Sequence, residues 1–262
     1  KVGNRGRLLT EAGIAESKLA LVEEQIGFII SKLERLAFRS TFDPTTGKGT
    51  VAYNLSLVRE DDLPGVTAAF DEVASAGYGF LNTYRVVDTD PRIPEGHLGI
   101  MTACSVTLDG VLQKMGIPTR LEYAGRIAVD ENGSASFLDL IGYRGTSVDP
   151  LHLFVSAGLT SINRLVTTGA GVALANVRAV PAAAGSRVEE VVGLMEELGF
   201  AFPAGRGIGE FNLPEHPYRL FVVAFTGMNM VGNAVEKGYT VKTEIGAGTT
   251  PFEDLMYATG SR

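Results

Sequence analysis

Residue types that build metal and redox centres are scarce in this sequence. Cys104 is the one cysteine, so no intramolecular disulfide can form and a cytoplasmic location is expected. The three histidines, His97, His152 and His216, lack the spacing of metal ligands. No apolar run approaches the roughly 18 residues of a membrane-spanning helix, and neither a P-loop nor a Gly-x-Gly-x-x-Gly motif is present. We therefore expect no metal site, no membrane contact and no bound cofactor.

The overall composition is that of a folded, acidic protein. Hydrophobic residues make up 45% and charged residues 20% of the 262 positions, which excludes a mainly disordered chain. The formal net charge of −7 makes this chain by itself a poor electrostatic match to nucleic acid. The chain starts at Lys1 rather than at a methionine, so we expect it to be a piece of a longer protein.

The N-terminal region has the apolar spacing of a long helix. Between Glu16 and Phe38 apolar residues recur at alternating intervals of three and four, at Leu19, Val22, Ile26, Ile29, Leu33 and Leu36. This spacing is typical of a coiled-coil seam or of an amphipathic helix packed on a domain. The first interpretation predicts a dimerising helix that passes on a signal, and the second a helix docked on its own domain.

The rest of the chain reads as an internal duplication. A shift of 122 residues aligns residues of about 47–124 with those of about 169–246 without a gap. Glycines expected to end helices in a left-handed conformation fall at equivalent places in the two halves, at Gly77 and Gly199 and again at Gly116 and Gly238.

Each half predicts the same order of elements. In the first half, strands are expected near 50–58, 97–103 and 118–128, a strand or turn near 79–88, and helices near 64–76 and 106–115. The fold prediction is therefore α+β: two β-α-β-β-α-β units related by a pseudo-twofold, preceded by the long N-terminal helix. A spacer from Asp130 to Thr168 is expected to hold a strand near 136–143 and one helix from about Pro150 to Leu165.

Small polar residues gather at three predicted strand-to-helix junctions, in the segments 101–107, 143–150 and 225–229. The free backbone N–H groups of a helix start favour anions such as carboxylates. Plain N-capping, with Ser105 and Asp149 as the caps, is the favoured interpretation of each segment taken alone, and it is the occurrence of three segments that favours an anion site. Arg178 lies two residues after Asn176 on one strand, so both side chains face the same side. Arg178 is then either a residue that pairs a carboxylate or a surface arginine on an edge strand. The candidate ligand-binding residues are Thr102, Cys104, Ser105, Thr107, Arg144, Thr146, Ser147, Asn176, Arg178 and Asn229.

Three functional classes remain open from the residues alone. The first is a domain that senses a small anion, and the second is an enzyme that acts on small acids through Cys104 or a serine or threonine. The third is an assembly module in which the junctions are only helix caps. No motif ties Cys104 to a base, so no catalytic residue is predicted and a small buried cysteine is the favoured interpretation.

Several segments resemble the regulatory domain of the archaeal NrpR family. They are Cys104–Leu112 followed by Gly116–Pro118, then Ile141–Pro150, Leu159–Thr160 and Gly169–Pro181. The segment Arg7–Gly13 looks like the end of the family's winged-helix module, and the helix leading to Thr41–Asp43 looks like its connection to this domain.

The resemblance implies residues 1–46 to be the end of a winged-helix module plus a linker and dimerisation helix. Residues 47–262 would then form an effector-binding regulatory domain. It further implies a homodimeric or larger transcriptional repressor of nitrogen-assimilation genes that binds DNA through an N-terminal module missing from this chain. The implied inducer is 2-oxoglutarate or a similar small dicarboxylate.

Overall fold

A computed structural model describes residues 27–203, 207–208, 211, 213 and 217–256. The helices and strands of this part alternate in two similar halves joined by a spacer. In chain order they are α1 (Phe28–Arg39), β1 (Thr50–Arg59), α2 (Leu63–Ala76), β2 (Tyr84–Val87), β3 (His97–Ala103), α3 (Val106–Lys114), β4 (Arg120–Val129), β5 (Ala135–Gly142), α4 (Pro150–Ser156), α5 (Ile162–Thr168), β6 (Gly171–Pro181), α6 (Gly185–Glu197), β7 (Arg219–Phe225), α7 (Met228–Glu236), β8 (Lys242–Pro251) and α8 (Phe252–Met256).

The predicted α+β duplication is confirmed in the element boundaries. Helices α6 and α7 and strands β7 and β8 each begin 122 residues after α2, α3, β3 and β4. The strand registers repeat as well, because Tyr53 lies opposite Ala103 in the first half and Ala175 lies opposite Phe225 in the second. The four glycines predicted to end helices all have positive φ angles, between 75° and 91°.

The two halves exchange their last strands. One antiparallel sheet has the order β2-β3-β1-β8 and the other the order β5-β4-β6-β7. Strand β8 of the second half therefore pairs with β1, and β4 of the first half pairs with β6. The sequence pattern predicts the order of elements but not this reciprocal exchange. Because each sheet contains a strand from the other repeat, the two repeats form one folded unit.

Two predicted elements differ from those observed. The spacer helix expected from Pro150 to Leu165 is two short helices, α4 and α5, because Gly158 adopts φ 65° between them. Within the strand or turn expected near 79–88, the strand is confined to β2, Tyr84–Val87. In the described part of its counterpart, near 201–209, Ile208 forms an isolated bridge to Val222.

The expectation of one unbroken helix from Glu16 to Phe38 is wrong at Gly27. Helix α1 begins at Phe28, and Gly27 before it has a left-handed φ of 84°. Leu33, Leu36 and Ala37 are buried, and Lys32 Nζ donates to the Ile245 carbonyl of β8 at 2.9 Å. The described helix is therefore docked on its own domain.

The upstream part of the predicted seam, with Leu19, Val22 and Ile26, lies outside the described residues. The proposed domain division at residue 46 stays a prediction.

Candidate functional site

The three predicted polar junctions meet in the interior of the fold. The start of α7 packs against the end of β3, because a Cβ placed on Gly227 would lie 2.7 Å from Thr102 Oγ1 and 2.8 Å from the Ala103 carbonyl oxygen. The third junction joins them through Tyr143, whose hydroxyl donates to Asn176 Oδ1 on β6 at 3.1 Å. The site therefore combines residues from both repeats and from the spacer.

Arg178 lies at the centre of this cluster and has no solvent exposure. The alternative of a surface arginine on an edge strand is wrong, because β6 lies between β4 and β7. Its Nε donates to Asp109 Oδ2 at 2.8 Å, and its Nη2 donates to the Ser105 carbonyl at 2.6 Å and to Ser105 Oγ at 3.0 Å. Within the described part of the chain, Nη1 has no hydrogen-bond partner although it is buried. A buried guanidinium with a free N–H face can receive a further acceptor.

Asn176 and Arg178 face the same side of β6, as the strand alternation predicts. Asn176 Nδ2 donates to Ser105 Oγ at 2.9 Å, so both residues converge on the first turn of α3. Ser105 is the residue that precedes α3, and its side chain makes no cap hydrogen bond. Its hydroxyl is instead held by the β6 side chains, and the interpretation of Ser105 as an ordinary N-cap is wrong.

Asp109 is the acidic partner that the sequence analysis missed. It lies in the middle of a run, Val106–Leu112, in which every residue is buried. Burial raises the pKa of the Asp109 carboxyl, and the neighbouring Arg178 opposes that rise. An acidic residue inside an apolar stretch of helix was the available signal, since such a residue is rarely buried without a partner.

Asp149 is a second buried acid close to the cluster. Its Oδ1 accepts the Leu151 N–H at 2.9 Å and so caps α4, as predicted. Its other oxygen, Oδ2, is buried without a hydrogen-bond partner among the described residues. Burial raises the pKa of the Asp149 carboxyl to about 6, because it disfavours the charged form.

Two predicted site residues hold strands in place instead of facing a ligand. Thr107 Oγ1 accepts the Ala52 N–H of β1 at 3.0 Å. At the equivalent place 122 residues later, Asn229 Oδ1 accepts the Leu174 N–H of β6 at 2.8 Å and its Nδ2 donates to the Leu174 carbonyl. Each helix start is thus clipped to the first strand of its own repeat, and both side chains are fully buried.

The remaining predicted residues occupy different depths. Thr102 is buried and accepts from Asn54 Nδ2 at 3.3 Å. Arg144 is exposed, and Thr146 and Ser147 are half-buried in the loop that follows Tyr143. The hydroxyl of Thr146 donates to the Val148 carbonyl. This loop therefore lies at the surface beside the cluster, and Tyr143 is its member that reaches the centre.

Cys104 does not have the surroundings of a nucleophile. It is 6% exposed, and burial raises the pKa of its thiol to about 11. A thiol in this state is protonated at neutral pH and unreactive. Within the described ranges no cluster of three metal-ligating side chains occurs either.

A groove of about 230 Å³ opens beside the cluster, between α1, α3 and the start of β4. Its apolar wall includes Leu33 and Phe38 of α1, and its polar wall includes Asp109 and Arg120. Phe38 is 81% exposed. Asp109 lines the groove and also holds Arg178, so the Asp109 side chain lies between the groove and the buried guanidinium. The groove wall itself carries both acidic and basic side chains, and the donors able to pair a carboxylate belong to the guanidinium behind Asp109.

Comparison with known proteins identifies the family. The family model described as NrpR regulatory domains NRD1 and 2 matches residues 26–256. The chain belongs to the NrpR family. The resemblance stated from the sequence is thereby confirmed, and the described groove and cluster lie inside an NrpR regulatory domain.

Two nitrogen regulators are similar in sequence to this chain over most of its length. The chain is 35% identical over 249 residues to the global nitrogen regulator NrpRI of Methanosarcina mazei, covering 93% of this chain and 77% of that protein. It is 27% identical over 253 residues to the global nitrogen regulator NrpR of Methanococcus maripaludis, covering 95% of this chain but 44% of that protein.

A solved structure supports the NrpR fold. The crystal structure of a nitrogen repressor-like protein from Methanococcus jannaschii superposes with a TM-score of 0.70 at 22% identity, over 86% of this chain and 96% of that one. The family is one of nitrogen regulators, so the expectation that the chain is not an enzyme is confirmed. None of the described helices has the length and apolar character needed to span a bilayer.

Proposed function

We propose that this NrpR regulatory domain binds 2-oxoglutarate, or a similar small dicarboxylate, as the inducer of a repressor of nitrogen-assimilation genes. The observation that carries the proposal is Arg178 of β6: its guanidinium is fully buried against the start of α3, and its Nη1 has no partner among the described residues. One effector carboxylate would pair with Arg178, and the nearby Asn176 and Ser105 would add neutral hydrogen bonds.

The position of the groove favours signal transfer to the N-terminal side. One wall is α1, the first helix of the described chain, and the other is α3, which carries Asp109. An effector that prefers one spacing of these two helices would shift the protein toward that state, since only differential affinity moves such an equilibrium. The 2-oxoglutarate-bound state would be the one that releases DNA.

The remaining parts of the proposal concern the whole regulator. We expect DNA contact through an N-terminal winged-helix module, a homodimer or larger assembly, a cytoplasmic location and no cofactor. The net charge of −7 agrees with DNA contact being made by another module.

The test is isothermal titration of this chain with 2-oxoglutarate, with glutamate and citrate as comparison ligands. Arg178 cannot be removed alone without stranding Asp109, so the informative variant is Arg178→Met combined with Asp109→Asn, which removes both charges. Arg219→Ala, an exposed arginine on neighbouring strand β7, serves as the matched control.

The proposal expects saturable binding of 2-oxoglutarate that is retained in Arg219→Ala and lost in the double variant. Circular dichroism and thermal unfolding establish that each variant is folded. Absence of heat at protein concentrations that detect millimolar affinity would refute 2-oxoglutarate as the effector. Unchanged binding in the folded double variant would place the ligand elsewhere.

A further inference from the structure

The guanidinium proposed to receive the effector already holds a carboxylate of the protein itself. Asp109 Oδ2 lies 2.8 Å from Arg178 Nε, and Asp109 Oδ1 lies 3.4 Å from the Thr119 hydroxyl. Chemically this is the contact that an effector carboxylate would make. Asp109 and Arg178 are 4% and 0% exposed, so the pair is shielded from water.

The geometry also sets the order in which an incoming anion meets these groups. Asp109 lines the groove between α1 and α3, whereas Arg178 is not part of the groove wall. A carboxylate that enters from solvent therefore meets the Asp109 carboxylate before it reaches the guanidinium. Two carboxylates side by side in a buried place repel each other, so they cannot both remain charged beside one cation.

We propose that Asp109 is an internal competitor for the effector: it occupies Arg178 in the empty domain and is displaced from it when an effector carboxylate binds. This inference rests on the proposed function. It makes Asp109 the residue that sets effector affinity, since an effector that enters through the groove must displace the Asp109 carboxylate to reach the guanidinium.

Displacement of Asp109 from Arg178 changes the protonation of the Asp109 carboxyl. Burial already raises the pKa of Asp109, with Arg178 acting against that rise. Once the effector takes Arg178, the carboxyl loses its cation and gains an anionic neighbour, so it takes up a proton. Binding then consumes about one proton per effector and weakens as pH rises.

Other ionisable groups around Asp109 would add to the measured proton uptake if they also titrated on binding. From β6 it faces Arg178, and from the groove walls it faces Glu34 of α1 and Arg120 of β4. Cys104 and Tyr143 lie within electrostatic range in the core. Burial raises the pKa of both of these groups, to about 11 for the Cys104 thiol, so they stay protonated at neutral pH and do not contribute.

Asp149 is the other group near the cluster able to exchange a proton, because its pKa is raised to about 6. Substitution of Asp149 by Asn removes that proton while keeping a side chain that can cap α4. Comparison of Asp149→Asn with the wild type therefore shows whether the proton is taken up by Asp109 or by Asp149.

A close contact links Asp109 to α1. The next residue, Gly110, faces α1 so tightly that a Cβ placed on it would lie 2.6 Å from the Ala37 carbonyl oxygen. Because packed helices at this distance cannot approach further, a movement of Asp109 that shifts α3 must shift α1 as well.

The experiment measures binding enthalpy of 2-oxoglutarate at one pH in two buffers with different ionisation enthalpies, such as phosphate and Tris. The dependence of the enthalpy on the buffer gives the number of protons exchanged. The wild type, Asp109→Asn and Asp149→Asn are compared. The wild-type measurement alone tests the idea, so it does not depend on the folding of a variant.

The proposal expects uptake of about one proton in the wild type and in Asp149→Asn. It expects no uptake in folded Asp109→Asn, together with an affinity at least about ten-fold tighter, since the competing charge is gone. Binding without proton uptake in the wild type would overturn the competitor role and leave the proposed function standing. Absence of binding in all three proteins would refute the proposed function and this inference together.

Discussion

Removal of Asp109 alone tests how far the fold depends on the buried charge pair. The variant Asp109→Ala leaves Arg178 charged, fully buried and without its acidic partner. Its hydrogen bonds to Ser105 remain, but a carbonyl and a hydroxyl do not neutralise a guanidinium. Breaking one side of a buried ion pair costs about 3–5 kcal/mol.

That cost is a large part of the stability of a domain, which is about 5–15 kcal/mol. We expect the melting temperature of Asp109→Ala to fall by about 10 °C. Equilibrium unfolding in urea, followed by circular dichroism, measures the loss. The matched control is Asp254→Ala, which breaks the half-exposed pair of Asp254 with Arg85 and should cost less than about 1 kcal/mol.

The double variant Asp109→Leu with Arg178→Met completes the cycle. Because it removes both charges and keeps apolar volume, it should recover most of the loss. A cost below about 1 kcal/mol for Asp109→Ala, similar to that of the control, would refute the conclusion that the pair is buried and energetically coupled. A double variant as unstable as the single one would refute the charge argument and point to packing.

Three further predictions concern other parts of the molecule. The raised pKa of Asp149 means that its neutral form stabilises the fold below pH 4 and that this contribution is lost as pH rises through about 6. The free energy of unfolding, measured at several pH values, should therefore rise by about 3 kcal/mol in Asp149→Asn relative to the wild type between pH 4 and pH 7. A difference that stays constant with pH would contradict the raised pKa of Asp149. Gly110→Ala should destabilise by about 1–3 kcal/mol because its methyl group meets the Ala37 carbonyl, while Gly185→Ala, with no contact closer than 3.8 Å, should be neutral or slightly stabilising in the same assay. Cys104 should react with a thiol reagent only in denaturant, and rapid labelling of the native protein would contradict its burial.

The sequence by itself determined the repeated architecture. The 122-residue shift placed α6, α7, β7 and β8 relative to their partners, because glycine caps and apolar periodicity report local backbone conformation. It also determined that Asn176 and Arg178 share one face of β6, since side chains alternate along a strand. The three polar junctions were found for the same local reason.

Only the tertiary structure decided which residues meet. Asp109 and Arg178 are 69 residues apart and lie on elements of different repeats, so no local pattern pairs them. Thr107 and Asn229 have the composition of ligand-binding residues, yet packing turns both toward strand backbone. The exchange of β4 and β8 between the sheets is decided in the same way, because long-range strand pairing depends on how whole elements pack and not on the residues within each strand.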